Sequence, residues 1–153
     1  MPSLNYKILS HTADLRLEVY GKTIEELFKN AATAFADILF PKTKNLRQRR
    51  ISLRLKKLKI EIHLKSANLN TLLVDFLNEI LAKSNINKAV YELMSLRVDE
   101  DKIKVEAELV GIPVTKFEED VKAVTYHEVQ INQQPTTNNK QQKRWSTKLV
   151  FDI

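Results

Sequence analysis

The residues of this chain best suited to chemistry are oxygen donors at two widely separated strand ends. Asp152 and Ile153 close an apolar alternation through Trp145, Thr147, Leu149 and Phe151. A strand held in its sheet to the last residue fixes the Asp152 carboxylate and the terminal carboxylate of Ile153 in one place. Adjacent oxygen donors suit a hard cation such as Ca²⁺, Mg²⁺ or Mn²⁺, provided a second carboxylate joins them. Asp14, in His11-Thr12-Ala13-Asp14 just ahead of the alternating Leu15, Leu17 and Val19, is the candidate. The same residues also read more plainly, Asp14 as a turn residue and Asp152 as a solvated strand-end charge, and spacing by itself favours that version. His11, Lys122, Thr125 and His127 complete the polar set. The odd positions from Val121 to Val129 are mostly small and apolar, which makes His127 a satisfied buried histidine, and Lys122 faces the other way. His11 reads as a residue that hydrogen-bonds the turn carrying Asp14.

These residues need elements to position them. Tyr6 and Ile8, then Leu15, Leu17 and Val19, mark two short strands separated by the polar stretch from Ser10 to Asp14. After Gly21, Thr23-Ile24-Glu25-Glu26 is a capping box that opens a helix, and Pro41 stops it. Leu27, Phe28, Ala31, Ala32, Phe35, Ile38 and Leu39 form its apolar stripe, with Phe28 and Phe35 in the core. Ile51, Leu53 and Leu55 alternate in one register and Leu58, Ile60, Ile62 and Leu64 in the other, so a bulge or turn belongs at Lys56-Lys57. His63 falls on the charged face. Asn68 caps a second helix with a stripe from Leu69 through Leu81 to Ala82. Strands follow over Lys88 to Val98, Ile103 to Leu109, Val121 to Ile131 and Arg144 to Ile153, the first two joined by a hairpin at Asp99-Glu100-Asp101. The Gln- and Asn-rich stretch from Asn132 to Lys143 reads as a mobile loop without a fixed shape. Two one-sided helices against a mixed, largely antiparallel sheet give an α+β two-layer sandwich, residues 1–153 forming one domain.

Composition excludes several classes. Without cysteine the chain has no disulfides, thiolate zinc sites or cysteine nucleophiles. With only two glycines, Gly21 and Gly111, it cannot write a P-loop or a dinucleotide fingerprint. A Gly-x-Ser-x-Gly elbow and a His-Glu-x-x-His helix are also missing. No apolar run is long enough for a membrane span or a signal sequence, and the reading is a cytoplasmic protein without a membrane partner. The net charge of +6 is uneven: ten of the 25 basic residues and one of the 19 acidic ones lie between Lys42 and Lys65. That segment either attracts a polyanion or guards an edge strand with solvated lysines.

Four stretches in order carry a likeness to a known family. His11-Thr12-Ala13-Asp14 followed by Tyr20-Gly21 and an Ala-rich helix resembles the opening signature of the archease family. Leu72-Leu73-Val74-Asp75-Phe76-Leu77-Asn78-Glu79 resembles its second helix, Lys122-Ala123-Val124-Thr125-Tyr126-His127 its central strand motif, and Phe151-Asp152-Ile153 its ending. The resemblance implies a small α+β helper protein, not itself an enzyme. Such a helper assists an RtcB-type tRNA-splicing RNA ligase, promoting guanylylation of the ligase's active-site histidine and multiple turnover, and meets tRNA through the ligase. It further implies a divalent metal, calcium foremost, on Asp14, the Asp152 side chain and Ile153 oxygens. Lys122 is implied in activation, with His11 and His127 as neighbours. Ser10, Arg16 and Ile112 depart from the family's usual residues, which alters the groups around the ligands while leaving the ligands themselves. Two other classes fit parts of the chain: a free-standing metal-dependent hydrolase using the same carboxylates, and an RNA-binding module using the basic segment.

Overall fold

Leu15, Leu17 and Val19 are buried while the alternate residues Asp14, Arg16, Glu18 and Tyr20 reach the surface, so period-two alternation sets the two faces of this strand in its sheet. The computed structural model describes residues 5–11, 13–41, 58–136 and 143–153, His11 by its backbone alone. The elements are β1 (Tyr6–His11), β2 (Asp14–Gly21), α1 (Ile24–Leu39), β3 (Lys59–Lys65) and α2 (Leu69–Asn87). They continue with β4 (Ala89–Asp99), β5 (Lys104–Pro113), β6 (Ala123–Thr125), β7 (Asn132–Pro135) and β8 (Lys143–Asp152).

The α+β class holds, and the expected single sheet divides in two. One sheet runs β1-β2-β8-β6, with β7 also paired to β8, and the other runs β3-β5-β4. Every pairing among the described residues is antiparallel, so the expected mixture of directions is absent from them. Alternation tells which face of a strand is buried but not which strand lies beside it, and that is why the division was invisible in the pattern.

Both helix caps form as their residues dictate. Thr23 Oγ1 accepts from the Glu26 amide at 3.0 Å, and Glu26 reaches back to the Lys22 amide at 3.2 Å. Asn68 Oδ1 accepts from the Thr71 amide at 2.9 Å. The second helix continues past the expected Ala82 to Asn87 and ends at Lys88, whose left-handed backbone (φ 51°) turns the chain into β4. Gly21 lets β2 meet the start of α1, since a Cβ there would lie 2.4 Å from the Leu27 backbone nitrogen.

The core is one continuous cluster. α1 packs on β2 and β4, one strand from each sheet, and α2 packs on β3, β4, β5 and β6. Phe28 meets Phe76 between the helices at 6.1 Å, and Phe35 stacks on Phe151 of β8 at 5.5 Å. No helix among the described residues is long and apolar enough to cross a membrane.

Three expectations need correction or fall outside the description. The strand foreseen over Val121 to Ile131 is only the three residues of β6, because the chain turns at Tyr126 and Glu128 takes a left-handed conformation (φ 62°). The stretch from Asn132 to Lys143, foreseen as shapeless, begins with strand β7, which pairs with β8. Backbone pairing to a long neighbour suffices for such a polar edge strand, and hydropathy carries no trace of it. The bulge foreseen at Lys56-Lys57 lies outside the described residues, as does most of the basic segment. At its described end Lys59 pairs with Glu108 at 3.5 Å, and His63 lies exposed between Glu61 and Glu106, as the charged face of a solvated sheet would have it.

Candidate functional site

Three strands converge where β2 begins and β8 ends. Asp14 is the register partner of Asp152, and Asp152 is in turn the partner of Ala123 on β6. The antiparallel ladder thus puts two carboxylates opposite each other on the outward face, a spacing of about 5 Å between their Cβ atoms. Asp152 is exposed, and its neighbour Phe151 is buried beneath it against Phe35, which fixes where the strand end sits. The Lys122 amide donates to the Asp152 carbonyl at 2.7 Å, extending the ladder one residue beyond β6. Ile153 packs partly buried against the core just after it.

Asp14 and Asp152 are therefore brought together as their sequence positions imply, with Lys122, itself exposed, one residue from the row. His127 is corrected: it is exposed in the turn after β6, where its amide donates to Thr125 Oγ1 at 3.3 Å. The parity that suggested burial ends with the strand at Thr125.

Like charges directly opposite one another on a sheet are destabilising, and a third residue offsets this pair. Arg16, two positions along β2 and so on the same face as Asp14, places Nε 3.1 Å from Asp14 Oδ1 and Nη2 3.4 Å from Oδ2. Its remaining nitrogen, Nη1, lies 2.6 Å from Glu128 Oε2. The Asp14 hydrogen bond and charge, then the Glu128 charge, raise the Arg16 pKa above its usual value. Sequence reasoning assigned no role to Arg16 in this pair, although an Asp and an Arg two apart on a strand share a face. Glu128 had no local signal at all, being 112 residues away.

Further along the same face, Tyr20 donates to Glu18 Oε1 at 2.6 Å while the Arg144 guanidinium lies 3.8 Å above its ring centre. Burial, then the Glu18 hydrogen bond, push the Tyr20 phenol up to about 12.

The polar side of α2 holds β6 in place. Asn78 Nδ2 donates to the Val124 carbonyl at 2.8 Å and Asn78 Oδ1 accepts from the Val124 amide at 2.9 Å, so one side chain closes the open edge of β6 as a neighbouring strand would. Asp75 accepts from Ser66 at 2.7 Å and from the Tyr126 hydroxyl, and that second bond raises the Tyr126 pKa. Asn70 Oδ1 accepts from the Ile131 amide at 2.9 Å. Asp75 and Asn78 read in sequence only as the wet side of an amphipathic helix.

Among the described residues no three His, Asp or Glu side chains gather as a metal cluster. The two carboxylates and the Ile153 oxygens are hard donors, but no third acidic or histidine side chain joins them among the described residues and Arg16 already occupies both oxygens of Asp14, so the donor set by itself falls short of a hard-ion site.

The family model described as the Archease protein family (MTH1598/TM1083) matches residues 6–153. The chain is 32% identical over 155 residues to protein archease of Methanosarcina barkeri, covering 97% of this chain and 95% of that one. It is 31% identical to protein archease of Methanosarcina mazei over the full length of both. Among solved structures it resembles protein 1598 of Methanobacterium thermoautotrophicum (TM-score 0.71, 19% identity, 99% and 100% of the two chains). It also resembles a Thermotoga maritima protein described as an archease and possible chaperone (TM-score 0.59, 18% identity, 96% of each chain). With the family model spanning residues 6–153, Asp14, Lys122 and Asp152 among them, and with relatives above 30% identity matched over nearly all of both chains, this chain belongs to the archease family.

Proposed function

We propose that this protein is an accessory factor of an RtcB-type RNA ligase, promoting guanylylation of the ligase and its multiple turnover in tRNA splicing or RNA repair. The observation that carries the proposal is the register match of Asp14 with Asp152 beside Lys122, in a chain of the archease family. Asp152 is exposed and Asp14 part-exposed, and the arginine that offsets their repulsion leaves both carboxylates within reach of a partner from solvent. With further ligands from that partner, Asp14, Asp152 and Ile153 would hold a divalent cation, calcium foremost.

When bound, such an ion compensates phosphate charge and aligns a nucleotide's α-phosphate with its acceptor. The chain's own part is positional. The ladder β2-β8-β6 fixes the two carboxylates, and the Lys122 amide locks the Asp152 backbone. The exposed Lys122 side chain supplies a positive charge that faces phosphate oxygens contributed by the partner. No group of this chain forms a covalent intermediate, in keeping with a helper role. The cytoplasm, where the ligase and tRNA meet, is the corresponding compartment.

The test is a guanylylation assay with ligase, GTP and RNA, with and without this protein. Multiple turnover is expected only when it is added, and Asp14→Ala should reduce the stimulation at least about tenfold. Because the Asp14 side chain is part-exposed and bonds only Arg16 among the described residues, the variant should fold. Stimulation by Asp14→Ala equal to that by the parent overturns the proposal.

A further inference from the structure

We infer that a cleft between the end of α2 and the connection from β5 to β6 binds a ribonucleotide unit, free or at the end of an RNA chain. The inference deepens the RNA-ligase reading above and rests on it only for the source of the nucleotide. The cleft measures about 310 Å³ and is lined by Lys88, Val114, Thr115, Lys116, Phe117 and Asp120. That volume is at the small end of the range for ligand pockets. The backbone around the cleft is tied down, so it is preformed. The Val114 amide donates to the Lys88 carbonyl at 3.0 Å and the Glu118 amide to the Leu39 carbonyl at 2.7 Å, while Val114 and Val121 are buried at either end of the segment. One residue after Val121, the Lys122 amide joins the Asp152 carbonyl, so the wall of the cleft runs directly into the strand end already described.

The lining offers the three kinds of contact a ribonucleotide takes. Lys88 and Lys116 are exposed and have no salt-bridge partner among the described residues, and Thr115 adds a hydroxyl, the groups that meet phosphate oxygens. Asp120 lines the same cleft and pairs with neither lysine. A carboxylate there accepts from ribose hydroxyls and so separates ribose from deoxyribose. Phe117 both packs against the core and lines the cleft, a firmly seated ring on which a base stacks. Glu118 and Glu119, its chain neighbours, are not part of the lining. Charges of both signs that share a cleft without closing on each other suit a ligand that carries an anion and hydroxyl donors together. Phosphate alone would meet the Asp120 charge with nothing to offer it, and a phosphate carried on a sugar fits better.

The experiment follows backbone amide shifts of the isotope-labelled full-length protein. The probes are AMP, deoxy-AMP, adenosine, inorganic phosphate and a short ribo-oligonucleotide with a terminal phosphate. AMP should move the Thr115, Lys116 and Phe117 amides saturably, with adenosine and inorganic phosphate each at least about tenfold weaker because each makes only part of the contact set. Lys88→Gln and Lys116→Gln should each weaken AMP by about 3- to 10-fold. Phe117→Leu, which keeps an apolar side chain against the core, should weaken it at least about fivefold. Asp120→Ala should abolish the preference for AMP over deoxy-AMP while phosphate contact persists. Tighter binding of the oligonucleotide than of AMP on the same amides assigns the cleft to an RNA end, and the reverse to a free nucleotide. Absence of saturable shifts at these amides, an equal response to inorganic phosphate, or unchanged AMP affinity in the double variant Lys88→Gln, Lys116→Gln overturns the inference. The ligase takes no part in these titrations, so their failure leaves the guanylylation test standing. A failed guanylylation assay with nucleotide binding intact overturns the ligase reading alone.

Discussion

Burial of its ring and the hydrogen bond to Glu18 make Tyr20 hold its phenolic proton more tightly, and this gives the sheet's outward face a measurable alkaline signature. Its folded-state pKa of about 12 exceeds the unfolded value of 10.0, so its contribution to stability is complete below pH 10 and is lost as the pH rises towards 12. In Tyr20→Phe that loss is absent. The urea midpoints of parent and variant should therefore converge, or cross, between pH 10 and 12, and a constant gap would count against the assignment. Within the site itself, Asp14 and Asp152 were legible because each ends an alternating run, and alternation locates strand ends. Arg16, Glu128 and Asn78 were not, because their meaning lies in partners 112 or 46 residues away, or in a face shared with Asp14 that only pairing makes consequential. His127 misled for a related reason: parity holds only while the strand lasts.

Two elements carry the geometry of the site, and only one of them announced itself. α1 was readable from its capping box and stripe, since both are local and the cap hydrogen bonds form between residues three and four apart. β6 is three residues long and owes its place to Asn78 on α2, a contact with no local pattern. Asn78→Ala should leave the Val124 amide and carbonyl without their partner and cost about 1–3 kcal/mol. Urea denaturation measures that cost, and amide exchange at Val124 should speed up ahead of exchange on β2. Asn78→Asp, which keeps the acceptor and loses the donor, should fall between. If Val124 exchanges as slowly in Asn78→Ala as in the parent, β6 is held by β8 alone. β7 escaped notice for the opposite reason to α1, since its Asn-Gln-Gln-Pro sequence has no hydropathy signal and its pairing to β8 is purely a matter of backbone.

At the scale of the molecule, the two sheets and two helices of the described residues share one buried cluster, with α1 touching a strand of each sheet. A shared core of this kind unfolds as a unit. Heating should therefore give coincident transitions by far-ultraviolet dichroism and by the fluorescence of Trp145, whose strand belongs to one sheet only; two separated midpoints would show that the sheets melt independently. The pairing of β2 with β8 has a further consequence for how the molecule is made. β4 and β5 are hairpin neighbours that find each other quickly, whereas Asp14 reaches Asp152 only after nearly the whole intervening chain has been gathered in. Closing so long a loop costs little extra stability but much search time. The acidic pair thus arrives with the latest contacts to form, and a trapped species with its helices and hairpin in place would look native by backbone spectroscopy while remaining inert towards a partner.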